Sequence, residues 1–467
     1  MARPMSVPRV LHVPAASVPR LTVWQKALYG FGDVLIAIRM SSFQFYLMPF
    51  YTDVVLLPAA LAGLGKMIGM VWDGINDPVI GNLSDRTRTA MGRRRPFLLG
   101  SALPLGIAYA LLWSPPSGLG TGLAFLWLVL AFLVLDTAFS FYATPYLALG
   151  AELSDDYHER TQLAASRAFF HLIGLFIGVA VPGAVLLRYG GARASGFRLM
   201  GVGLGMTMVV VALVTGSLLR ERPAPPAVHT RLSLRTMFAG LASTLGNPAF
   251  RVLIVSFAFI LLGAGLYQTL LPYAFKYWLI RPQLAARVPM VFLAASVFSL
   301  PLWTRLARGM GKDRALRLCM LWAAAALGAT PLVLGPDMSN ARMAAFIGIA
   351  GLGNGGWLVL PAAITADVID YDELGTSHRR EGAYFGIWTL VMKWAGAIAS
   401  GIVGVALQLL GYVPDAAQSA RTILGIKILY GPVPALMMLV AFAIFLRFPL
   451  TRERHAEVQA TLAARRR

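Results

Sequence analysis

The sequence predicts an all-α membrane protein with twelve transmembrane helices arranged in two six-helix bundles. Of its 467 residues, 57% are hydrophobic and only 13% are charged, whereas a soluble protein of this size carries roughly a quarter charged residues. The apolar residues also form long runs of about 20, the length that crosses a bilayer core. Tails and short loops account for the rest, which leaves no room for a large soluble domain.

Charge and cysteine content exclude other classes of protein. The formal net charge is +20, which could attract nucleic acid, but the arginines flank apolar runs, where they set membrane topology. We therefore expect no nucleic-acid partner. The single cysteine, Cys319, permits neither an internal disulfide nor a metal cluster. The first 20 residues lack a signal-peptide core, so we expect direct insertion into an inner or plasma membrane. We also expect a monomer.

Hydropathy divides the chain into two sets of six spans. The predicted units are a tail over 1–26, a first bundle over 27–219, a linker over 220–249, a second bundle over 250–446 and a tail over 447–467. The predicted spans are 27–51, 58–83, 96–114, 121–150, 163–187, 199–219, 250–275, 287–304, 315–335, 342–369, 383–411 and 422–446. The linker is predicted from its polar, proline-bearing sequence, which contains Arg222-Pro-Ala-Pro-Pro.

The basic residues predict the orientation of these spans. Of the 41 lysines and arginines, 28 lie in the two tails or in the loops that follow even-numbered spans. Positively charged residues stay on the cytoplasmic side of a membrane. Both termini should therefore be cytoplasmic, which agrees with an even number of spans.

Charged residues inside the spans are the first indication of function, because a charge at the bilayer centre costs at least about 2.5–3.5 kcal/mol. In span 2, Asp73, Asn76 and Asp77 are spaced i, i+3 and i+4 and share one helix face. Two carboxylates one turn apart repel each other, so Na⁺ or Li⁺, a proton or a basic neighbour must compensate them. Hard oxygen donors suit an alkali ion. The alternative is a buried ion pair that only fixes helix packing.

Two further spans carry charges that could complete this site. Lys393 in span 11 needs an anionic partner, and Asp73, Asp77 or Asp136 could supply it. Asp136 precedes Ser140 by one helical turn in span 4, so both face the same way. The pair could add a carboxylate and a hydroxyl to an ion site. Ser140 could equally bond its own helix backbone.

Other polar residues are predicted at the substrate side and at the cytoplasmic side. Arg167 in span 5 could bind a polar substrate or close a salt bridge, whereas His171 is expected to be an ordinary core residue. The Asp-Arg element at the foot of span 2 could latch the helices of one bundle, or only anchor the topology. Its residues are Asp85, Arg86 and Arg88.

The chain resembles the glycoside–pentoside–hexuronide:cation symporters of the major facilitator superfamily. The matching segments, spread over nearly the whole chain, are Tyr29-Gly-Phe-Gly-Asp33, Phe50-Tyr-Thr-Asp53, Trp72-Asp-Gly-Ile-Asn-Asp-Pro78, Asp85-Arg86-Thr-Arg88, Thr144-Pro145-Tyr146, Ala366-Asp-Val-Ile-Asp-Tyr371 and Gly411-Tyr-Val-Pro-Asp415. The resemblance implies the major facilitator fold and alternating access around a central site. It implies symport of a sugar or glycoside with Na⁺ or H⁺ and no cofactor.

The resemblance also implies roles for individual residues. It implies that the span-2 element binds the cation together with a span-4 hydroxyl. Asp136 would add a further carboxylate to this cation site. These residues are Asp73, Asn76, Asp77, Ser140 and Asp136. It implies that five residues of spans 1, 5, 10 and 11 bind the substrate. These are Asp33, Arg167, Trp357, Thr389 and Lys393.

Three departures from the family pattern affect the substrate. Ala37 and Ala143 stand where galactoside-carrying members have sugar-binding aspartates, and Leu147 replaces a stacking tryptophan. Losing such hydroxyl acceptors costs a sugar site much of its affinity. An amphiphile such as a lysolipid is therefore the alternative substrate. A membrane enzyme is not expected, because no nucleophile–base pair is evident from the spacing.

Overall fold

The computed structural model describes residues 21–154, 156–189, 193–221, 244–285, 287–376 and 380–466, and its regular elements are helices. The predicted all-α fold is confirmed. The first group of helices runs up to residue 218. It contains α1 (Val23–Phe31), α2 (Asp33–Ser42), α3 (Met48–Asp53), α4 (Ala59–Arg86), α5 (Arg95–Leu112), α6 (Thr121–Glu152), α7 (Tyr157–Tyr189) and α8 (Arg193–Leu218).

The second group begins at Pro248, where Asn247 caps the first helix by accepting hydrogen bonds from two backbone amides. It contains α9 (Pro248–Tyr273), α10 (Val288–Phe298), α11 (Leu300–Met310), α12 (Lys312–Val333), α13 (Asn340–Thr376), α14 (Glu381–Leu409), α15 (Ala420–Tyr430), α16 (Pro432–Phe445) and α17 (Arg452–Arg466). Much of the predicted linker, residues 222–243, lies outside the described residues.

Within the described residues, nine helices are long and apolar enough to cross a membrane, or ten if the bent α10–α11 pair is one span. This count takes α15 and α16 together as one span. Of the twelve predicted spans, only spans 1 and 2 are missing from these ten. Span 1 is divided into α1, α2, a π-helical turn over Phe43–Leu47 and α3, each short. Helix α4 has 28 residues, but its charged residues lower its hydropathy. The full count of twelve stays a prediction.

Prolines explain two interruptions that hydropathy did not predict. Pro301 lies at the start of α11 and Pro432 at the start of α16, and proline cannot donate the amide hydrogen bond that continues a helix. The predicted C-terminal tail is also helical. Its helix α17 packs onto the second group through the buried side chains of Val458 and Leu462.

The chain ends define two faces of the molecule. We call the face that carries the start of α1 and the whole of α17 the terminal face, and the opposite face, where α3 and α9 end, the distal face. The two groups of helices touch chiefly through α4 and α14. A Cβ on Gly63 would lie 2.5 Å from the carbonyl oxygen of Ser400 and 3.0 Å from the Cα of Gly404, so the two backbones are in direct contact near the distal face.

The polar contacts between the two groups, within the described residues, are concentrated towards the distal face. Among pairs whose members both lie in the described ranges, every hydrogen bond or ion pair between the groups is at the level of Lys393 or nearer to the distal face. Nearer to the terminal face, a Cβ on Gly382 or Gly386 of α14 would meet no atom within 4 Å. The described part of the chain is therefore closed between the groups at the distal face and more open between them at the terminal face.

Candidate functional site

The acidic face of α4 is presented by one continuous helix that contains a proline. Asp73, Asn76 and Asp77 lie on this helix just before Pro78. Because Pro78 has no amide hydrogen, the carbonyl oxygen of Gly74 receives no helix hydrogen bond from it. The face thus offers two carboxylates, an amide and a backbone carbonyl within little more than one turn.

Lys393 of α14 completes this face from the opposite group of helices. Its Nζ lies 2.9 Å from Asp73 Oδ2 and donates to Asp77 Oδ2 at 2.5 Å. The sequence left three partners open for this lysine, and the structure brings it to Asp73 and Asp77. The ammonium therefore stands between the two carboxylates, in the position that a small cation would take.

Hydroxyl groups of α6 bind the same face from the other side. Ser140 Oγ donates to Asp73 Oδ1 at 3.4 Å, and Thr144 Oγ1 donates to Asp77 Oδ1 at 3.1 Å. The amide nitrogen of Asn76 donates to Thr137 Oγ1 at 3.2 Å. The sequence analysis named Ser140 but missed Thr137 and Thr144. Their spacing of three and four residues from Ser140 was the available signal.

Asp136 has its own partner in the first group of helices. It is fully buried and forms an ion pair with Arg39 of α2. The guanidinium of Arg39 also lies 4.0 Å from the centre of the Phe139 ring. The second carboxylate oxygen of Asp136 has no hydrogen-bond partner among the described residues. Asp136 thus lies on the helix that supplies the hydroxyls, with its charge compensated by Arg39.

The charges of this region do not balance. Three carboxylates (Asp73, Asp77 and Asp136) face two basic groups, the ammonium of Lys393 and the guanidinium of Arg39. With all five groups ionised, the cluster carries one net negative charge. An uncompensated charge inside a membrane protein is costly, and one proton or one monovalent cation would bring this fully ionised cluster to neutrality.

A second polar cluster lies on α2 and α7. Asp33 is buried, and its Oδ2 lies 2.6 Å from Nδ1 of His171, while Arg167 Nε lies 3.4 Å from its Oδ1. The side chain of Arg167 is 43% exposed. The predicted substrate residues Asp33 and Arg167 are therefore in contact. His171, which was expected to be an ordinary core residue, is the third member of the cluster.

The other predicted substrate residues belong to the second group of helices. Trp357 of α13 is half-buried. Thr389 of α14 is exposed, lies one turn before Lys393 and donates its hydroxyl to the carbonyl of Phe385. No hydrogen bond joins Trp357 or Thr389 to Asp33 or Arg167 in the part of the chain that is described. The structure thus places the predicted substrate residues on both groups of helices without direct contact across them.

The predicted gate residues lie at the terminal face, and the structure connects them differently from the sequence pattern. Asp85 forms an ion pair with Arg94, and Arg94 also reaches Glu152 Oε1 at 2.8 Å. Arg86 and Arg88 are exposed. The network therefore joins α4, the start of α5 and the end of α6 within the first group of helices.

A network at the distal face joins the two groups and was not predicted. Asp53, at the end of α3, accepts hydrogen bonds from Lys276, from Tyr412 and, at 2.9 Å, from the hydroxyl of Tyr277. Lys276 also lies 3.0 Å from Asp415 Oδ1. We call these five residues the distal bridge. They lie in or beside loops, where a charge gives no hydropathy signal.

Asp415 extends the distal bridge to Arg193 at the start of α8. Nη1 of Arg193 lies 2.7 Å from Asp415 Oδ1. This hydrogen bond, followed by the one from Lys276, lowers the pKa of Asp415 below its ordinary value. The carboxylate therefore stays ionised at neutral pH, and the bridge keeps its charge.

The fold and the charged face between the two groups define a major facilitator transporter. The chain belongs to the family described as MFS/sugar transport protein, which matches residues 28–452. It is therefore a multi-pass membrane transporter and not an enzyme. A bacterial homologue of the human lysosomal transporter Spinster, solved in an inward-facing and unoccupied conformation, has the same fold. It aligns with a TM-score of 0.67 over 90% of this chain and 95% of its own, at 14% identity.

Three relatives cover nearly the same length as this chain. An uncharacterised symporter of Synechocystis sp. is 27% identical over 96% of this chain and 98% of its own. The sphingosine-1-phosphate transporter MFSD2B of Mus musculus is 29% identical over 96% of this chain and 93% of its own. The isoprimeverose transporter of Lactiplantibacillus pentosus is 26% identical over 87% of this chain and 84% of its own.

Proposed function

We propose that this transporter is a symporter in which Na⁺ or H⁺ drives the uptake of a sugar or glycoside. The observation that carries the proposal is the position of Lys393, whose ammonium lies between Asp73 and Asp77. A cation bound by Asp73, Asn76 and Asp77 would compete with this ammonium. Ser140 and Asp136 support the site from α6.

The competition provides a mechanism of coupling. In the absence of a cation, Lys393 pairs with both carboxylates and offsets one of their two charges, which lowers the cost of an empty site inside the membrane. When a cation binds, Lys393 is released and becomes available to a substrate. Cation and substrate then favour each other's binding, and linkage requires this effect to be reciprocal.

The distribution of basic residues supports a cytoplasmic terminal face with both termini inside. With that orientation, the opening between the two groups of helices would face the cytoplasm. Asp85 and Arg94 would then hold the first group of helices together at the cytoplasmic side. Arg86 and Arg88 would remain free to contact the second group of helices when that side closes.

We place the substrate between the two groups of helices. The first group offers Asp33 and Arg167, together with His171, and the second offers Trp357 and Thr389. A carboxylate and a guanidinium bind sugar hydroxyls by charge-assisted hydrogen bonds, and an indole ring provides an apolar surface for a sugar ring.

A lysolipid-like amphiphile is the second candidate substrate, and the exposed guanidinium of Arg167 favours it. Asp33 is the acceptor that a sugar would need, but His171 and Arg167 already bind it. An exposed arginine suits an anionic head group such as a phosphate. The similarity to the sphingosine-1-phosphate transporter MFSD2B supports the same alternative.

Uptake into proteoliposomes tests the proposal. Purified protein would be assayed with a panel of radiolabelled sugars and glycosides and a panel of lysolipids, with an inward Na⁺ gradient, an inward H⁺ gradient or neither. We expect accumulation of one substrate class with one of the two gradients. Asp77→Asn should abolish this accumulation but preserve exchange of labelled for unlabelled substrate, since it removes cation binding and keeps the shape of the side chain.

Asp337→Asn is the matched control, because Asp337 is exposed in the loop between α12 and α13. This variant should transport like the wild type. Gradient-driven accumulation by Asp77→Asn, or wild-type uptake that is indifferent to both gradients, would refute the proposed coupling. Uptake of lysolipids and of no sugar would refute the proposed substrate and establish the alternative.

A further inference from the structure

A groove between two helices of the first group extends from the terminal face towards the candidate cation site, which it meets at Thr137. It has a volume of about 730 Å³ and runs between α5 and α6 from Thr87, near the terminal face, to Thr137. Its walls include Phe97, Pro104 and Phe141. This volume falls within the range of small-molecule sites, about 300–1,000 Å³. Since the groove lies within the membrane-spanning part, its apolar walls suit a hydrocarbon chain.

The groove adjoins a second cavity at the terminal face. This cavity has a volume of about 400 Å³ and shares Thr87 with the groove. Four arginines line it, and one carboxylate, that of Glu221, lies among them. The arginines are Arg88, Arg93, Arg95 and Arg220. A hydrocarbon groove that opens into a cavity of net positive charge has the amphipathic shape and charge of a phospholipid with an anionic head group.

Two of the four arginines are available to a ligand. Arg93 pairs with Glu152, and Arg95 donates to backbone carbonyls at the end of α8. Glu221 is occupied by the backbone amides at the start of α5. In contrast, Arg88 and Arg220 are exposed and form no ion pair with any residue in the described ranges. Their guanidinium groups can therefore bind a phosphate without breaking an existing contact.

We propose that this groove is a binding site for an anionic phospholipid of the leaflet at the terminal face. One acyl chain lies in the groove between α5 and α6, and the head-group phosphate binds Arg88 and Arg220. The occupant is a lipid of the surrounding bilayer rather than the transported substrate, because none of the predicted substrate residues lines the groove. The proposal goes beyond the symport activity, and the site shares Thr137 with the candidate cation site and Arg88 with the predicted gate.

Gly100 allows the acyl-chain part of the site to be tested separately. It lines the groove, and a Cβ at this position would meet no atom within 4 Å. Gly100→Leu therefore introduces an apolar side chain at the groove wall from a Cβ position that is unobstructed. Gly203 on α8 is equally exposed and open, which makes Gly203→Leu the matched control.

The experiment measures phosphatidylglycerol binding to the purified full-length protein in detergent. Native mass spectrometry counts retained lipids, and thermal unfolding is followed as the lipid is titrated. We expect phosphatidylglycerol to bind more tightly than phosphatidylcholine. The double variant R88Q/R220Q should lose about thirtyfold in affinity, since each basic residue near an anionic lipid contributes about 1 kcal/mol. Gly100→Leu should abolish retention, whereas Gly203→Leu and R305Q/R308Q, which changes exposed arginines of α11, should not.

Each other outcome overturns part or all of the proposal. Equal binding of both lipids, or an R88Q/R220Q variant that binds like R305Q/R308Q, would refute the head-group site. Retention that survives Gly100→Leu would refute the acyl-chain groove. Stabilisation by inorganic phosphate or glycerol phosphate equal to that by phosphatidylglycerol would show that the cavity binds a free anion and not a lipid.

Discussion

The distal bridge allows a quantitative prediction about the conformational equilibrium of the transporter. Asp53 is the centre of the bridge, because its carboxylate accepts bonds from Lys276, Tyr277 and Tyr412 of the other group of helices. These contacts exist only while the distal face is closed. Asp53→Asn keeps the shape of the side chain and removes its charge, so it should favour the state that is open at the distal face.

The exposure of the partners sets the size of the effect. The side chain of Asp53 is 5% exposed and that of Lys276 is 26% exposed. Removing one member of a buried pair costs about 3–5 kcal/mol. Because Lys276 is partly hydrated and keeps Asp415 at 3.0 Å, we expect about 2 kcal/mol, which is about a thirtyfold change in the ratio of open to closed molecules. Arg193 and Asp415 are 44% and 47% exposed, so Arg193→Gln should change the ratio by fivefold at most.

Distance measurements between two spin labels test this prediction. Labels at Ser117 and Ala417 would report the separation of the two groups at the distal face, and the native Cys319 is buried, so it should not compete for the label. Asp53→Asn should enlarge the long-distance population, and D53N/K276M should lie nearer the wild type because no charge is left unpaired. An unchanged distribution in Asp53→Asn, or an equal effect of Arg193→Gln, would refute the reasoning.

Three further predictions follow from other contacts. Lys393→Met should raise cation affinity about tenfold or more, because it removes the competing charge; calorimetry would measure this, and an unchanged or lower affinity would contradict it. Gly63→Ala should destabilise the protein by about 1–3 kcal/mol through overpacking against α14, whereas Gly203→Ala should be neutral; thermal unfolding would show whether the two differ. Because the pKa of Asp415 is lowered, its ion pairs are present above the ordinary aspartate pKa of about 3.9 and are lost as the pH falls through the lowered value. The label distances should therefore not change between about pH 5 and pH 8 through this group, and a change that Asp415→Asn removes would be the contrary result.

Much of the candidate site could be predicted from local sequence. The helix period alone places Asp73, Asn76 and Asp77 on one face, and the cost of buried charge identifies Lys393 and Asp136 as residues that need partners. The sequence could not show which residues pair with Lys393 and Asp136, because the pairing depends on how helices distant in sequence approach one another. The structure pairs Asp136 with Arg39 and places Lys393 between the two span-2 aspartates.

The contacts of the distal bridge and the lipid groove could not be predicted from the sequence, although Asp53, Tyr412 and Asp415 lie in segments that match the family. Asp53 and Lys276 lie beside loops, where charged residues are ordinary, and they become a bridge only because α3 and α9 end at the same face. The groove exists because Gly100 and Thr137 face an opening between α5 and α6. The sequence by itself determined the membrane class, the order of the helices and the residues whose charge requires compensation. Hydropathy is a property of a short stretch of chain, and the free-energy cost of burying a charge is a property of the single residue. Only the tertiary structure decided which charges pair and which face is closed, because these depend on contacts between helices far apart in the chain.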